Sequence, residues 1–246
     1  MKSIVKVQWK KPDSQPWKAE LLLAGKTGFE RRGLQPGRKI SLELTDERRC
    51  TGYAHSPGER SKCPEFRKID SGSQCPECRG KDIYSDYVRG ARNNLEGEFS
   101  VYYAQIGEKF KVGVTRSGNI PKRWIEQGAD YAAEIESGLT SNEALDIEDQ
   151  LTTEKISQRI RKENKTGRPE EKLSEIMEKK DRHAEIVEVQ ELTDYPELNG
   201  KFMRKGLIEG EIESVKGQIV SNGRVAMALT SGKVLKRPEQ KGLESF

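Results

Sequence analysis

The chain has 246 residues, enough for one large or two to three small domains. Hydrophobic residues make up 33% and charged residues 34%, a balance that predicts several small cores and long solvated helices in place of one deep core. No apolar run approaches the roughly 20 residues a membrane span needs, and the start MKSIVKVQWKK lacks the apolar centre of a signal peptide, so a soluble, cytoplasmic protein is expected.

The formal net charge of +4 is unevenly spread. Residues 1–98 carry about +6, residues 99–200 about −6 and residues 201–246 about +4. Basic flanks around an acidic middle predict that any nucleic acid is held by the flanks, whereas an even mixture of Lys and Glu would serve only hydration.

From the N-terminus, Val5-Val7-Trp9 and Ile40-Leu42-Leu44 alternate with polar residues, and Gly33, Pro36 and Gly37 mark a turn between them, so residues 1–47 are expected to be β-rich. All four cysteines follow in residues 48–82, as Cys50, Cys63 and the pair Cys75-Pro-Glu-Cys78. A Cys-x-x-Cys turn offers two thiolates to one metal, and Cys50 with Cys63 would complete a tetrahedral Zn²⁺ shell, with His55 as a substitute ligand. Disulfides or a redox-active Cys75–Cys78 pair are the alternatives, disfavoured by the polar, turn-rich setting of Gly72-Ser73-Gln74. Such a zinc would be structural, since four ligands leave no open position for chemistry. Residues 83–98 read first as a solvated linker of little apolar content, although Tyr84, Tyr87, Arg89 and Arg92 interleave aromatic and cationic groups in a manner that would also suit a nucleic-acid strand.

Val101-Tyr102-Tyr103 and Phe110 to Val114 form two short strands around the turn Ile106-Gly107-Glu108-Lys109. A helix begins near Pro121, with Arg123 and Gln127 four apart on one face and Trp124 and Ile125 as apolar anchors. Asp130 to Ser137 alternates as a third strand. The run Thr140-Ser141-Asn142-Glu143 then has the form of a capping box opening a helix. On that helix Glu148 falls within the apolar arc of Ala144, Leu145, Ile147 and Leu151, so it faces the protein and needs an arginine, a hydrogen-bond donor or a metal as partner.

These residues resemble the GIY-YIG nuclease superfamily, whose small domain is a three-stranded antiparallel sheet flanked by helices. Ser100-Val101-Tyr102 stands at the first motif, Lys111-Val112-Gly113 at the second, Arg123 at the helix arginine and Glu148 at the metal-binding carboxylate, within a Glu143-Ala144-Leu145-Asp146-Ile147-Glu148 run similar to that of bacterial excision-repair members. Three features depart from the family pattern. Ser100 replaces the first glycine, Lys111 replaces the tyrosine that opens the second motif, and no Asn after Glu148 stands for the family's late polar residue. The wording KVGVT with RWIEQGA is most similar to an uncharacterised, mainly archaeal branch of unknown function that carries a zinc-type cysteine cluster ahead of the core.

The resemblance implies metal-dependent phosphodiester hydrolysis: Glu148 holding Mg²⁺ or Mn²⁺, Tyr102 orienting or deprotonating the attacking water, Arg123 clamping phosphate and Lys111 adding positive charge beside Tyr102. Gln127 shares the Arg123 face. The alternative is a non-catalytic binder of DNA, RNA or a ribonucleoprotein that keeps the fold, in which Glu148 is an ion-pair partner of Arg123. The oligomeric state is left open.

Beyond Leu151 the helical spacing of Ile156 and Ile160 predicts continuation to Arg161-Lys162, broken at Gly167-Arg168-Pro169. A second, charge-dense helix follows from Glu170 with Leu173, Ile176 and Met177 on one face. His183 has no metal-spaced companion. Finally Ser221-Asn222-Gly223-Arg224 is the sharpest hairpin signal of the chain, within a small β-module that packs on the N-terminal strands. The expected fold is therefore α+β: a β-rich region 1–47, a zinc-binding region 48–82, a linker 83–98, a GIY-YIG-like domain 99–165, a charged helical connector 166–190 and a C-terminal β-module 191–246.

Overall fold

A computed structural model describes residues 1–85, 95–153, 156–157, 159–180 and 182–236. Tyr87, Arg89 and Arg92 of the expected linker lie outside the described residues. The architecture is mixed α+β and dominated by strands.

The N-terminal strands β1 (Lys2–Lys10), β2 (Lys18–Gly25), β3 (Gly28–Gly33) and β4 (Lys39–Arg48) bury Val7, Trp9, Leu21, Leu23, Leu42 and Leu44 on one face, as their alternation predicts. A β-bulge between Ile4 and Lys6 turns Ile4 onto that face and Val5 onto the other, with Leu22 and Ala24. They do not form a sheet of their own. β13 (Gly206–Glu211) pairs with the edge of β4, and β17 (Lys233–Lys236) lies between β4 and β1, giving the six-stranded order β13-β4-β17-β1-β2-β3. The C-terminal segment thus completes the N-terminal sheet.

The cysteine region is a small β-hairpin, β5 (Tyr53–Ser56) with β6 (Glu59–Ser61), followed by the short helix α1 (Pro76–Lys81). Ile83 donates its amide to the Ala54 carbonyl at 3.1 Å, so the start of the expected linker is tied to this hairpin.

In the centre, β7 (Phe99–Ile106) and β8 (Lys109–Arg116) form the expected hairpin, turning at Gly107 with φ +55°. After helix α2 (Lys122–Gln127), β9 (Tyr131–Leu139) pairs antiparallel with β7. The three antiparallel strands are extended by two short edges, β10 (Ile156–Ser157) parallel to β8 and β11 (Val187–Glu188) antiparallel to β9, so the sheet has five strands where three were expected.

Helix α3 (Ser141–Leu151) opens with the full capping box: Thr140 Oγ1 accepts from the Glu143 amide at 3.3 Å and Glu143 Oε2 from the Thr140 amide at 2.9 Å. It stops at Leu151, not near Lys162. The β-branched Thr152 leaves helical geometry and donates its hydroxyl to the Glu148 carbonyl at 2.8 Å, and Ile156 enters β10. The second helix, α4 (Leu173–Glu178), begins three residues later than expected, where Glu171 accepts from the Ser174 amide at 2.8 Å, and it buries Leu173 and Met177. The buried amide of Gln105 on β7 fixes the connector by donating to the Glu170 carbonyl at 2.7 Å and accepting from the Lys172 amide at 2.9 Å.

The remaining strands β12 (Lys201–Met203), β14 (Ser214–Lys216), β15 (Ile219–Ser221) and β16 (Val225–Ala228) form a four-stranded sheet around the Asn222-Gly223 turn. Asn222 Oδ1 accepts from the Arg224 and Val225 amides at 3.1 and 2.8 Å, and Gly223 takes φ +80°. The composition pointed to small separate cores. Instead one apolar cluster joins Trp9 and Leu44 of the N-terminal sheet, Tyr102 and Ile106 of β7, Trp124 of α2 and Met227 of β16, with smaller clusters around it. Short strands from three sheets share that core, which is why modest apolar content suffices.

Candidate functional site

Cys50 follows β4, Cys63 follows β6, Cys75 caps α1 and Cys78 lies within it. One sulfur from each lies within 4.8 Å of all the others, and all four residues are buried and unbridged. A Zn–S bond of about 2.3 Å puts tetrahedral sulfurs roughly 3.8 Å apart, so the donor set fits a soft divalent ion. Burial pushes the Cys50 thiol up to about 11, and burial with the neighbouring Cys50 and Cys75 raises Cys78 as well. At Cys63 burial is outweighed by backbone amides of Arg67 and Glu65, which hold it below its ordinary value. Four thiolates this close would repel one another without a cation among them, and the cluster is able to hold a metal such as zinc.

His55 is not part of the cluster. Its Nε2 lies 3.2 Å from Glu59 and its Nδ1 3.1 Å from Ser61, and the ring is half exposed. The sequence reading missed Asp82. It accepts from the amides of Ala54 and Tyr84, each at 3.0 Å, and from Gln74 Nε2 at 2.5 Å, so one carboxylate fastens α1 to the β5–β6 hairpin. Burial opposes its ionisation, but these donors and Arg60 hold it below the usual carboxylate range. An Asp four residues after a Cys-x-x-Cys pair carries no such signal by itself.

In the central sheet, Tyr102 on β7 faces Gly113 on β8. A methyl group on Gly113 would lie 2.6 Å from the phenol oxygen, so only glycine leaves room for this ring. Gln127 Nε2, at the last turn of α2, donates to Tyr102 Oη at 2.8 Å. Arg123, one turn earlier, is exposed and pairs with Glu126 at 3.7 Å, not with Glu148. Lys111 lies two residues from Gly113 on the same face of β8 and is 7% exposed. Burial and the nearby Arg123 push its pKa down to about 8, against the opposing charge of Glu148.

Glu148 is half-buried on α3, as its place in the apolar arc predicts. Burial holds its carboxyl above the ordinary value, while Lys111 pulls it back down. The apolar arc of α3 packs through Ala144 and Leu151 against Tyr103 and Val112, on the face opposite Tyr102. Lys165, which the sequence reading did not single out, donates its Nζ to the Gln127 carbonyl. Burial, with Lys162 and Lys111 nearby, lowers it to about 8. The structure thus brings Tyr102, Gln127 and Gly113 into contact, and sets Lys111 in the field of both Arg123 and Glu148.

Fold and site define an α+β protein with a buried four-cysteine centre and a largely apolar central sheet that buries Lys111. Residues 37–222 match the family described as Protein of unknown function (DUF2797), and the chain belongs to that family. No curated protein and no solved structure matches it. Among the described residues no helix is long and apolar enough to cross a membrane.

Proposed function

We propose that this chain processes nucleic acid, with metal-dependent phosphodiester hydrolysis of an endonuclease-like kind as its activity and a structural zinc at Cys50, Cys63, Cys75 and Cys78. The observation that carries the reading is the hydrogen bond from Gln127 to Tyr102 Oη beside Lys111, which is in turn coupled to Arg123 and Glu148. Tyr102, Arg123 and Glu148 stand at positions where the sequence resembles the GIY-YIG nucleases, Lys111 stands where that family has a tyrosine, and Gln127 shares the Arg123 face. Glu148 offers a half-buried carboxylate to Mg²⁺ or Mn²⁺, a hard cation that polarises the phosphate when bound. In this reading Tyr102, held by the Gln127 hydrogen bond, orients or deprotonates the attacking water once substrate uncovers it, with a nearby cation needed to favour its ionised form. The exposed Arg123 guanidinium clamps the phosphate, and Lys111 adds positive charge beneath it.

A second reading, a non-catalytic zinc-containing binder of DNA, RNA or a ribonucleoprotein, is favoured by two specific observations. Tyr102 is fully shut from solvent, and a buried lysine stands where the second phenol of the nucleases would be.

One experiment separates the two. Single-stranded, duplex and branched DNA and RNA are incubated with the protein and Mg²⁺ or Mn²⁺, beside the Glu148→Gln variant. Hydrolysis predicts cleavage that the variant loses by orders of magnitude while its melting temperature and nucleic-acid binding hold. Binding by both proteins with no cleavage of any substrate removes the enzyme and leaves the binder.

A further inference from the structure

The outer face of the N-terminal sheet is not bare. Lys6 and Lys10 of β1, with Phe29 and Arg31 of β3, form one wall of a groove whose other wall is Arg60 of the β5–β6 hairpin and Tyr84 just beyond the Asp82 clamp. Strand register places Lys6 opposite Leu22, and Leu22 opposite Arg31, so these side chains share the face turned away from the main core. Phe29 packs with Val5, Leu22 and Ala24 as an apolar floor. At Lys122 and Tyr84 the groove joins a second cleft lined by Phe99, Arg116 and Arg123. A continuous path therefore leads from β1, past the cysteine module, to the exposed arginine of α2.

The charge along this path is one-sided. Lys6 lies within electrostatic reach of Glu126 and of three cations, Lys122, Arg60 and Arg123. The acids lining the two clefts are already engaged: Glu59 is held by Ser56 at 2.7 Å and Glu126 by Arg123 at 3.7 Å. Arg60 feels the charge of Asp82, but among the described residues its hydrogen bonding is sparse. Its Nη2 makes one long bond to the Gly52 carbonyl at 3.4 Å, and its Nε is shut from solvent without a partner. Tyr84, by contrast, is 46% exposed, a large aromatic surface left open at the junction of the two clefts.

We infer that this groove is the path of a single-stranded nucleic acid, whose phosphates follow Lys6, Arg60, Lys122 and Arg123 while bases stack on Tyr84 and Phe29. Two features favour a single strand over a duplex. Open aromatic faces bind splayed bases, which a duplex keeps stacked internally, and a groove between two walls tracks one backbone. The cysteine centre acquires a role in this arrangement, because Arg60 and Tyr84 are both presented by the module that it holds together. The inference rests on the nucleic-acid reading above and names its substrate class.

The test measures fluorescence anisotropy of short dye-labelled single-stranded RNA, single-stranded DNA and duplex DNA, with the parent protein and the Tyr84→Ala and Lys6→Ala variants, over a range of salt. Single strands are expected to bind at least about tenfold tighter than duplex, and Tyr84→Ala to lose about tenfold on single strands alone. Lys6→Ala should lessen the salt slope by about 0.7, the value for one phosphate contact on a single strand. Melting temperatures should not move, since both side chains are exposed. The RNA and DNA arms tell which strand is preferred, and either preference supports the groove. Parent-level binding by both variants overturns the groove but leaves hydrolysis at Glu148 standing, because strands would then be held elsewhere. Equal binding of an acidic peptide, insensitive to Tyr84→Ala, overturns the single-strand assignment. Binding of no nucleic acid at all overturns groove and proposed function together.

Discussion

Lys216 Nζ lies 2.5 Å from Asp130 Oδ1, and this largely buried pair joins the four-stranded C-terminal sheet to the central one. The other carboxylate oxygen of Asp130 accepts from the Gly107 amide at 2.8 Å, and Lys216 also donates to the Gly167 carbonyl at 3.0 Å. Burial raises the Asp130 carboxyl, against the pull of Lys216, so the ionised form depends on the lysine.

Removing only the lysine should therefore be costly. Lys216→Met leaves a buried carboxylate unpaired and is expected to destabilise the fold by about 3–5 kcal/mol in urea unfolding. Adding Asp130→Asn should restore a large part of that loss, since no charge is then stranded. A single variant within about 1 kcal/mol of the parent would show that the pair is solvated in solution.

The cysteine centre makes a second prediction. Freshly purified reduced protein should contain one zinc per chain, and chelation should speed amide hydrogen exchange first in α1 and the β5–β6 hairpin, because ligand binding and local folding are linked. Cys78→Ser should release the ion more readily. Stoichiometric protein without metal, or a Cys75–Cys78 disulfide under reducing conditions, would remove the metal site.

The third prediction concerns pH. Burial and neighbouring cations depress Lys162 and Lys165 to about 8, below the roughly 10.4 of an unfolded lysine. Between those values the unfolded chain binds more protons than the folded one, so the stability cost of burying these two cations is relieved as pH rises from about 8 to about 10.4. Below pH 8 both states are protonated and the contribution is flat. Comparing Lys162→Met and Lys165→Met with the parent in urea unfolding at pH 7.5 and pH 9.5 isolates it: each variant should show a smaller gain with pH than the parent. An equal gain would mean that the lysines reach water and titrate normally.

Local signals explain what was legible in the sequence. The alternation from Val101 to Val114 and the Thr140/Glu143 capping box are fixed by neighbours within a few residues, and both occur as expected. The four cysteines were legible because burial of a thiol cluster needs one chemistry. By contrast, β17 between β1 and β4 pairs Leu235 with Lys2 and Leu44, a long-range choice that no local pattern encodes. The continuation of α3 failed for a related reason. Ile156 has helical spacing from Thr152, but its apolar side chain is claimed by the sheet edge. Helix phase placed Glu148 on the protein-facing side of α3 and Gln127 on the Arg123 face, Tyr102 was singled out only by the family resemblance, and Lys165 reaches Gln127 from a 3₁₀ turn with no periodic signature.

The contact between Gly113 and Tyr102 supports the last prediction. Cβ at position 113 would meet Oη at 2.6 Å and Cζ at 2.7 Å, and β8 is held between β7 and β10, so the backbone has little room to yield. Gly113→Ala should therefore push the ring from its place, break the Gln127 hydrogen bond and destabilise the protein by about 1–3 kcal/mol. Tyr102→Phe would not relieve the clash, because Cζ remains. In a Tyr102→Ala background the added methyl enters space that the ring has left, and its cost should fall to within about 0.5 kcal/mol of zero or become a gain. A double-mutant cycle by chemical denaturation reads this coupling directly. If Gly113→Ala costs the same in both backgrounds, the glycine serves strand geometry and not the placement of Tyr102, and the hydroxyl loses its claim to be a positioned group.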